Sequence, residues 1–447
     1  MIPPRPLAAI ILAAGQGTRM KSSLHKVLHP IAGKPMVLHL VDSLAELVPE
    51  RTVVVVGARR EQVEAAMAPH GACIAVQSPQ LGTGHAVQQA AAALAGFSGY
   101  VLILYGDAPL VSAATMARLR DALTGDVGAV VLGFRPAEPG AYGRIIAAGD
   151  TIVKMVEFKD ASPAERAVSL CNSGLMAVRA EALFALLARV GNDNAAGEYY
   201  LPDIIGLLIA DGGTARVIET DAAEVAGVNS RAELAALEAA WQDRRRAEAM
   251  VAGVTLIDPG SVFFAHDTAI AADVTIAPFV VFGPGVSIAS GTVIHANSHI
   301  EGTIIGENSE VGPFARLRPG TVLGTGAKIG NFVETKKAVF GPGAKANHLS
   351  YIGDAIVGAK ANIGAGTITC NYDGFRKYQT VIGAGAFIGS NSALVAPVTI
   401  GDGAIVAAGS TITADVAADA LALVRPAQVV KPGWAAAFRR VMLARKG

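Results

Sequence analysis

Aliphatic residues return at every sixth position through much of the second half of the chain. Ile270, Ile276, Phe282, Ile288, Ile294 and Ile300 form one run. After a one-residue slip, Ile305, Val311, Leu317, Leu323 and Ile329 form a second, and Ile382, Ile388, Leu394, Ile400, Val406 and Ile412 a third. Gly, Asn or Pro stands between most of them. An α-helix repeats every ~3.6 residues and a half-buried strand every second residue, so neither explains the pattern. Six residues make one short strand and one turn, which is one side of a three-sided coil. The period therefore predicts a parallel β-helix with its aliphatics stacked inward.

Such a coil binds nothing by itself and would serve equally as a scaffold or a trimerisation stalk. The period lapses, however, between Ile329 and Ile382. That stretch carries Lys336, Lys337, His348, Tyr351, Asn362, Asn371, Tyr372, Arg376 and Lys377. Polar residues with no core role, gathered where a repeat is broken, are expected to face a ligand.

Residues 1 to about 228 follow another rhythm. "AAIILAA", "TVVVVG", "ACIAVQ", "YVLILYGD" and "GAVVLGF" read as strands, and amphipathic segments such as "VLHLVDSLAEL", "REQVEAAMAPH" and "TMARLRDAL" separate them. Continuous apolar strands alternating with helices predict a parallel sheet covered on both faces, with ligands at the carboxyl ends of its strands. Ser230 and Glu233 have capping-box spacing ahead of a helical pattern. The expected domains are therefore 1–229 and 253–447, joined by a linker helix over 230–252.

The first strand runs into a glycine turn, "LAAGQGTRM". It lacks the third glycine of a dinucleotide fingerprint and the Gly-Lys-Ser/Thr end of a P-loop. Its glycines still let backbone N–H groups approach an anion, and Arg19 and Lys26 add positive charge. Together they suit a triphosphate whose leaving group gains negative charge; singly, each reads as well as a solvated surface charge. Gly82 and Thr83 in "QLGTGHA" stand at a strand-to-helix turn, where backbone donors are free. Asp107 ends an apolar strand, where a carboxylate either holds Mg²⁺ beside a substrate phosphate or caps a turn. His348, whose unperturbed pKa lies near neutrality, stands in the broken stretch as a candidate general base, with Glu334 expected to orient it or tune its charge. Backbone N–H groups of "NIGAGT" are candidate oxyanion donors. Tyr142, His85 and His266 are assigned turn or packing roles.

Taken together, these motifs, with "HKVLHP", "YGDAPL", "ARLRPG", "NFVETKK", "NHLSYIGD" and "NIGAGTITCNYDG", resemble one family over nearly the whole chain. It is the family of bacterial bifunctional N-acetylglucosamine-1-phosphate uridyltransferases / glucosamine-1-phosphate N-acetyltransferases. The resemblance implies an α/β Rossmann-like nucleotidyltransferase domain joined by a long helix to a left-handed parallel β-helix, and assembly as a homotrimer. It implies that Leu12, Ala13, Ala14, Gly15, Gln77, Gly82, Thr83, Tyr105, Gly106 and Asp107 line the UTP and sugar pocket, with Arg19 and Lys26 neutralising the triphosphate. Gly143, Glu157, Asn172 and Asn229 would hold N-acetylglucosamine-1-phosphate, and Asp107 and Asn229 would bind Mg²⁺. In the β-helix, His348 would be the base for acetyl transfer. Arg318, Lys336, Tyr351 and Asn362 would bind glucosamine-1-phosphate. Ala365, Asn371, Tyr372, Ser390, Ala408 and Arg425 would contact acetyl-CoA. His25 departs from the family pattern, which usually has proline there; the expected effect is on loop stiffness more than chemistry.

Bulk composition narrows the alternatives. Lys plus Arg and Asp plus Glu each number 37, so no nucleic-acid-binding face is indicated. Cys73, Cys171 and Cys370 are far apart in sequence, a pattern expected of a reducing, cytoplasmic setting. No apolar run approaches the ~20 residues that span a bilayer. "AAIILAA" behind Arg5 has the outline of an export signal, but removing it would destroy a domain whose sheet and phosphate loop it opens. The basic, amphipathic "GWAAAFRRVMLARKG" reads as a membrane-surface helix or as a segment packed on the β-helix or a neighbouring subunit. Two rival functions stand beside the bifunctional one. A single-activity sugar nucleotidyltransferase with a regulatory β-helix has no need of "NHLSYIGD", Lys336 and "CNYDG". A non-catalytic trimeric scaffold has no need of Gly15, Arg19, Lys26 and Asp107.

Overall fold

The computed structural model describes residues 5–445. The chain divides into two compact units, one ending at Arg244 and one starting at Arg245. The division falls within the helix Arg231–Val251. Its capping box closes in both directions: Ser230 N donates to Glu233 Oε2 at 2.9 Å, and Glu233 N donates to Ser230 Oγ at 3.3 Å. Among the described residues no helix is long and apolar enough to cross a membrane.

The first unit is built on a nine-stranded sheet. Its strands are β1 Leu7–Ala13, β2 Arg51–Val56, β3 Cys73–Val76, β4 Tyr100–Tyr105, β5 Val127–Phe134, β6 Arg144–Ala148, β7 Thr151–Val156, β8 Cys171–Arg179 and β9 Thr214–Thr220. In space they run β3–β2–β1–β4–β8–β5–β9–β7–β6. Helices α1 Met36–Ala45, α2 Arg60–Met67 and α4 Ala113–Asp121 fall on the three amphipathic segments, and a short α3 spans Thr83–Gln88. All seven residues of β1 are buried. Ala8, Ile10 and Leu12 enter one core cluster, while Leu7, Ala9, Ile11 and Ala13 enter the other. A strand between two helix layers needs apolar side chains on both faces, which is why this run shows no alternation.

The sheet is mixed, which corrects the expectation of a parallel one. β2, β1 and β4 are parallel, but β8 runs antiparallel between β4 and β5, and β6 and β7 form an antiparallel hairpin. A strand buried on both faces has the same composition in either direction, and antiparallel neighbours need no helical crossover. The apolar runs therefore carried no record of strand sense.

The second unit is the parallel β-helix that the period called for, left-handed as the resemblance implied. Every aliphatic position of the three hexapeptide runs is buried except Ile270, in the first coil, which is partly exposed. One face is a ten-stranded parallel ladder. The other two merge into a 14-stranded sheet, because the strands Glu334–Phe340 and Tyr351–Val357 run round a corner. The corner residues Lys337 and Asp354 turn there with φ near 44° and 47°.

The coil does not lapse between Ile329 and Ile382. Thr335, Phe340, Ala346, Ile352, Val357, Ile363 and Thr369 fill its inward positions, all of them buried. Two steps of five residues and three small or hydroxyl side chains had hidden the repeat. The one real interruption is a stub after Asn371, where Asp373 Oδ1 accepts from Phe375 N and Arg376 N and the chain rejoins at Tyr378.

Candidate active sites

In the first unit a cleft of about 360 Å³ opens where β1, β3 and β4 end. Leu12, Ala13, Ala14, Gly15, Lys26, Gln77, Gly82, Thr83, Tyr105 and Asp107 line it, joined by Gln80 and Glu198. Two adjoining hollows share its walls. One holds Asn229 beside Asp107, and the other holds Gly143, Glu157 and Asn172 beside Thr83 and Tyr105.

Lys26 stands at the centre, only 9% exposed. Its Nζ donates to Asp107 Oδ2 and, at 3.1 Å, to Asn229 Oδ1. Gly17 makes room for it: φ is +60°, and a Cβ there would lie 2.6 Å from the Lys26 Cβ. Gly82 is constrained likewise, with φ +106° and Tyr199 O 2.6 Å from where a Cβ would be. Two hard oxygens from distant parts of the chain thus converge on one cation. A carboxylate and an amide oxygen fit Mg²⁺, which completes its shell with water and phosphate.

Burial raises the Tyr105 phenol well above its ordinary value. It also raises the Glu157 carboxyl, with Asp203 and Asp160 adding to the effect. His25 is buried with neither ring nitrogen hydrogen-bonded, and burial followed by the Lys26 charge lowers its pKa.

Two of the expected residues are not in the lining. Arg19 is exposed on the short turn Thr18–Met20, and Gly106 is buried with its N–H on Leu12 O. Gln80, whose Nε2 donates to Ala14 O, and Glu198 were missed. Neither carries a periodic or glycine signal that would have marked it.

In the second unit His348 Nδ1 lies 2.6 Å from Asn331 Oδ1, one coil below. Glu334 does not orient the histidine; Arg318 Nη1 donates to it at 2.8 Å. On a strand the two sides alternate, and a residue one coil away in register is the nearer partner. Asn331, His348, Ala365, Ser390 and Ala408 occupy the same place in successive coils, each followed by a left-handed corner residue. Asn391 N donates to Ala365 O, Gly409 N to Ser390 O and Arg425 Nη1 to Ala408 O.

Across the corner from His348 lies a second cluster. Lys336 is beside Lys377, which, with Arg318 also near, lowers its pKa. Asn371 is buried, donating to Asp354 Oδ2 at 2.5 Å and to Tyr351 Oη at 3.5 Å. Tyr372 begins the exposed stub. Asn362 is elsewhere, in register with Lys345 and Phe387 on the ten-stranded face. A hollow of about 370 Å³ contains His348 and Asn331 but none of Arg318, Lys336 and Tyr351. The tail from Leu423 to Arg445 is exposed throughout, so its helix Trp434–Ala444 does not pack on the β-helix of its own chain.

Residues 9–197 match the MobA-like NTP transferase domain, and residues 302–337 and 379–414 match the bacterial transferase hexapeptide repeat. The chain is 66% identical to the bifunctional protein GlmU of Sphingopyxis alaskensis, covering 99% of this chain and 98% of that protein. It is 66% identical to the GlmU of Rhizorhabdus wittichii and 55% identical to that of Zymomonas mobilis, over 99% and 98% of this chain and 98% of each relative. A nucleotide-transferring cleft in one unit, a histidine-bearing hexapeptide coil in the other and identity along nearly the full length have one reading: the chain belongs to the GlmU family and is a bifunctional enzyme, a sugar nucleotidyltransferase and an acetyltransferase in one polypeptide.

Proposed function

We propose that residues 253–447 acetylate glucosamine-1-phosphate with acetyl-CoA. Residues 1–229 then transfer a uridylyl group from UTP to the product, giving UDP-N-acetylglucosamine. The helix over 230–252 joins the two. The observation that carries this reading is the Lys26 ammonium held between Asp107 and Asn229 at the strand ends, in a unit separate from His348.

In the acetyl step the substrate amine attacks the thioester carbonyl. A C–N bond forms and the C–S bond breaks. The amine proton passes through His348 to the departing thiolate. Asn331 Oδ1 accepts from Nδ1–H of His348, leaving the Nε2 lone pair as the base. Lys336, Lys377 and Arg318 attract the substrate phosphate, with Tyr351 and Asn362 as further contacts. Ala365, Ser390, Ala408 and Arg425 carry acetyl-CoA along the coil in line with His348, and Asn371 and Tyr372 complete its contacts.

In the uridylyl step a phosphate oxygen of N-acetylglucosamine-1-phosphate attacks the α-phosphorus in line, and pyrophosphate leaves with the electron pair. The nucleophile is already anionic, so no strong base is required. Lys26 in the cleft neutralises the growing charge, joined by Arg19 from the exposed turn Thr18–Met20. Asp107 and Asn229 would hold Mg²⁺, which when bound supplies charge neutralisation at the phosphate oxygens. Gly143, Glu157 and Asn172 receive the sugar.

The acetyltransferase works as a homotrimer. His348 and the Lys336 cluster flank one convex corner, which cannot enclose a substrate alone, and exposed Phe314, Phe332 and Leu349 follow that corner. A cytoplasmic setting suits these substrates and the three free cysteines. Glucosamine-1-phosphate, acetyl-CoA, UTP and Mg²⁺ in one pot should yield the acetylated sugar phosphate and then the sugar nucleotide. Leaving out acetyl-CoA should stop both, and adding N-acetylglucosamine-1-phosphate should restore the second. Failure of that restoration would overturn the order of steps.

A further inference from the structure

His85, to which the sequence assigns a turn or packing role, does not line the cleft. It contacts a residue that does. Gln77 is 5% exposed and lines the cleft. Its Nε2 lies 2.9 Å from Gly82 O and 3.2 Å from His85 Nδ1. A carbonyl oxygen only accepts, so the amide nitrogen must face Gly82, and His85 Nδ1 must offer a lone pair to the second amide proton. Both partners are anchored. Gly82 O also accepts from Ala86 N at 3.1 Å, Tyr199 N donates to Leu81 O at 2.9 Å, and the His85 and Tyr199 rings lie 6.4 Å apart. Among the described residues Gln77 Oε1 accepts no hydrogen bond, so it is the acceptor that this side chain offers to the cleft.

We propose that His85 is a positioning residue for base selection: it locks the Gln77 amide so that Oε1 reads the imide N–H of a uracil ring. Cytosine has an acceptor at the same ring position and would meet Oε1 lone pair to lone pair. A site built to pair one hydrogen bond rejects an analogue that cannot make it. With His85 unable to accept, one bond instead of two holds the amide: Gly82 O still keeps the nitrogen on its side, but the amide plane can swing about its last side-chain torsion and Oε1 loses its fixed aim. The proposal rests on the uridylyl reading above.

The test measures kcat and KM for UTP and CTP in wild type, H85L, H85N and H85Q, with urea unfolding of the same preparations as the check on folding. H85L should raise KM for UTP about tenfold with kcat little changed, and should cut the preference for UTP over CTP by about tenfold. H85N, whose Oδ1 stands where Nδ1 stood, should restore both. H85Q, with its acceptor one atom further out, should not, and it supplies the contrast if H85L is unstable. An undiminished preference in H85L and H85Q, an equal loss with both nucleotides, or no rescue by H85N would overturn the proposal. A wild type that does not turn over UTP would overturn the uridylyl reading itself, and the proposal with it.

Discussion

The proposed uridylyl step turns on Lys26, because nothing else in the described cleft brings an ammonium against both Asp107 and Asn229. Lys26→Ala should cut uridylyl kcat by about 10²–10³-fold and leave acetyl transfer unchanged, as paired assays on one preparation would read. In the second unit, Asn331→Ala frees the His348 tautomer. Acetyl-transfer kcat should fall at least about tenfold with the KM for acetyl-CoA steady. Glu157 offers a test with a definite sign. Its carboxyl is raised by burial and by Asp203 and Asp160, so the folded state binds its proton more readily than the unfolded chain. Stability is therefore lost as pH rises from the ordinary carboxylate value through the raised one. Glu157→Gln removes that loss: urea midpoints should place it above wild type at pH 8, with the advantage gone below about pH 4.

At the level of elements, the hidden coils make the sharper test. If Phe340 were in a ligand loop, truncating it would barely matter. It is instead 1% exposed inside the coil, so Phe340→Ala should cost about 3–5 kcal/mol, measured by denaturant unfolding. The contrast shows what the sequence displayed and what it did not. Ile, Val and Leu at six-residue spacing announced the coil because inward positions usually need aliphatics. Thr335, Ala346 and Thr369 meet the same packing demand with small or hydroxyl side chains, Thr335 Oγ1 lying 2.9 Å from Thr321 Oγ1, and so they left no trace in a pattern of large aliphatics. The same limit applies in the first unit. The glycine turn and the strand-end Asp107 were legible because backbone geometry demands those residue types. The direction of β8 depends on which distant segments meet, and the Gln77–His85 pairing on how the short turn between them folds; composition records neither. Asn331 escaped notice for the same reason, since its tie to His348 exists only once one coil is stacked on the next.

For the whole molecule, the question is what covers the corner of the β-helix. Phe279, Phe314, Phe332 and Leu349 stand at left-handed corner positions and are 63%, 49%, 56% and 61% exposed. The Phe314 and Phe332 rings stack with centroids 5.2 Å apart. A left-handed backbone is strained for a bulky residue, and a polar or glycine corner would serve the coil as well, as Asn297, Gly366, Asn391 and Gly409 do. Aromatic side chains in that conformation, next to the proposed acetyl-transfer site, are explained if the other copies of the proposed trimer bury them and close that site. Replacing Phe314 and Phe332 by Glu should leave the coil folded, because neither side chain points inward, but should give a monomer by light scattering. Acetyl transfer should be lost with the trimer, while uridylyl transfer, whose described residues all lie in the first unit, should persist. A double variant that stays trimeric and acetylates at the wild-type rate would show that the corner serves neither assembly nor catalysis, and the aromatic ladder would then need another explanation.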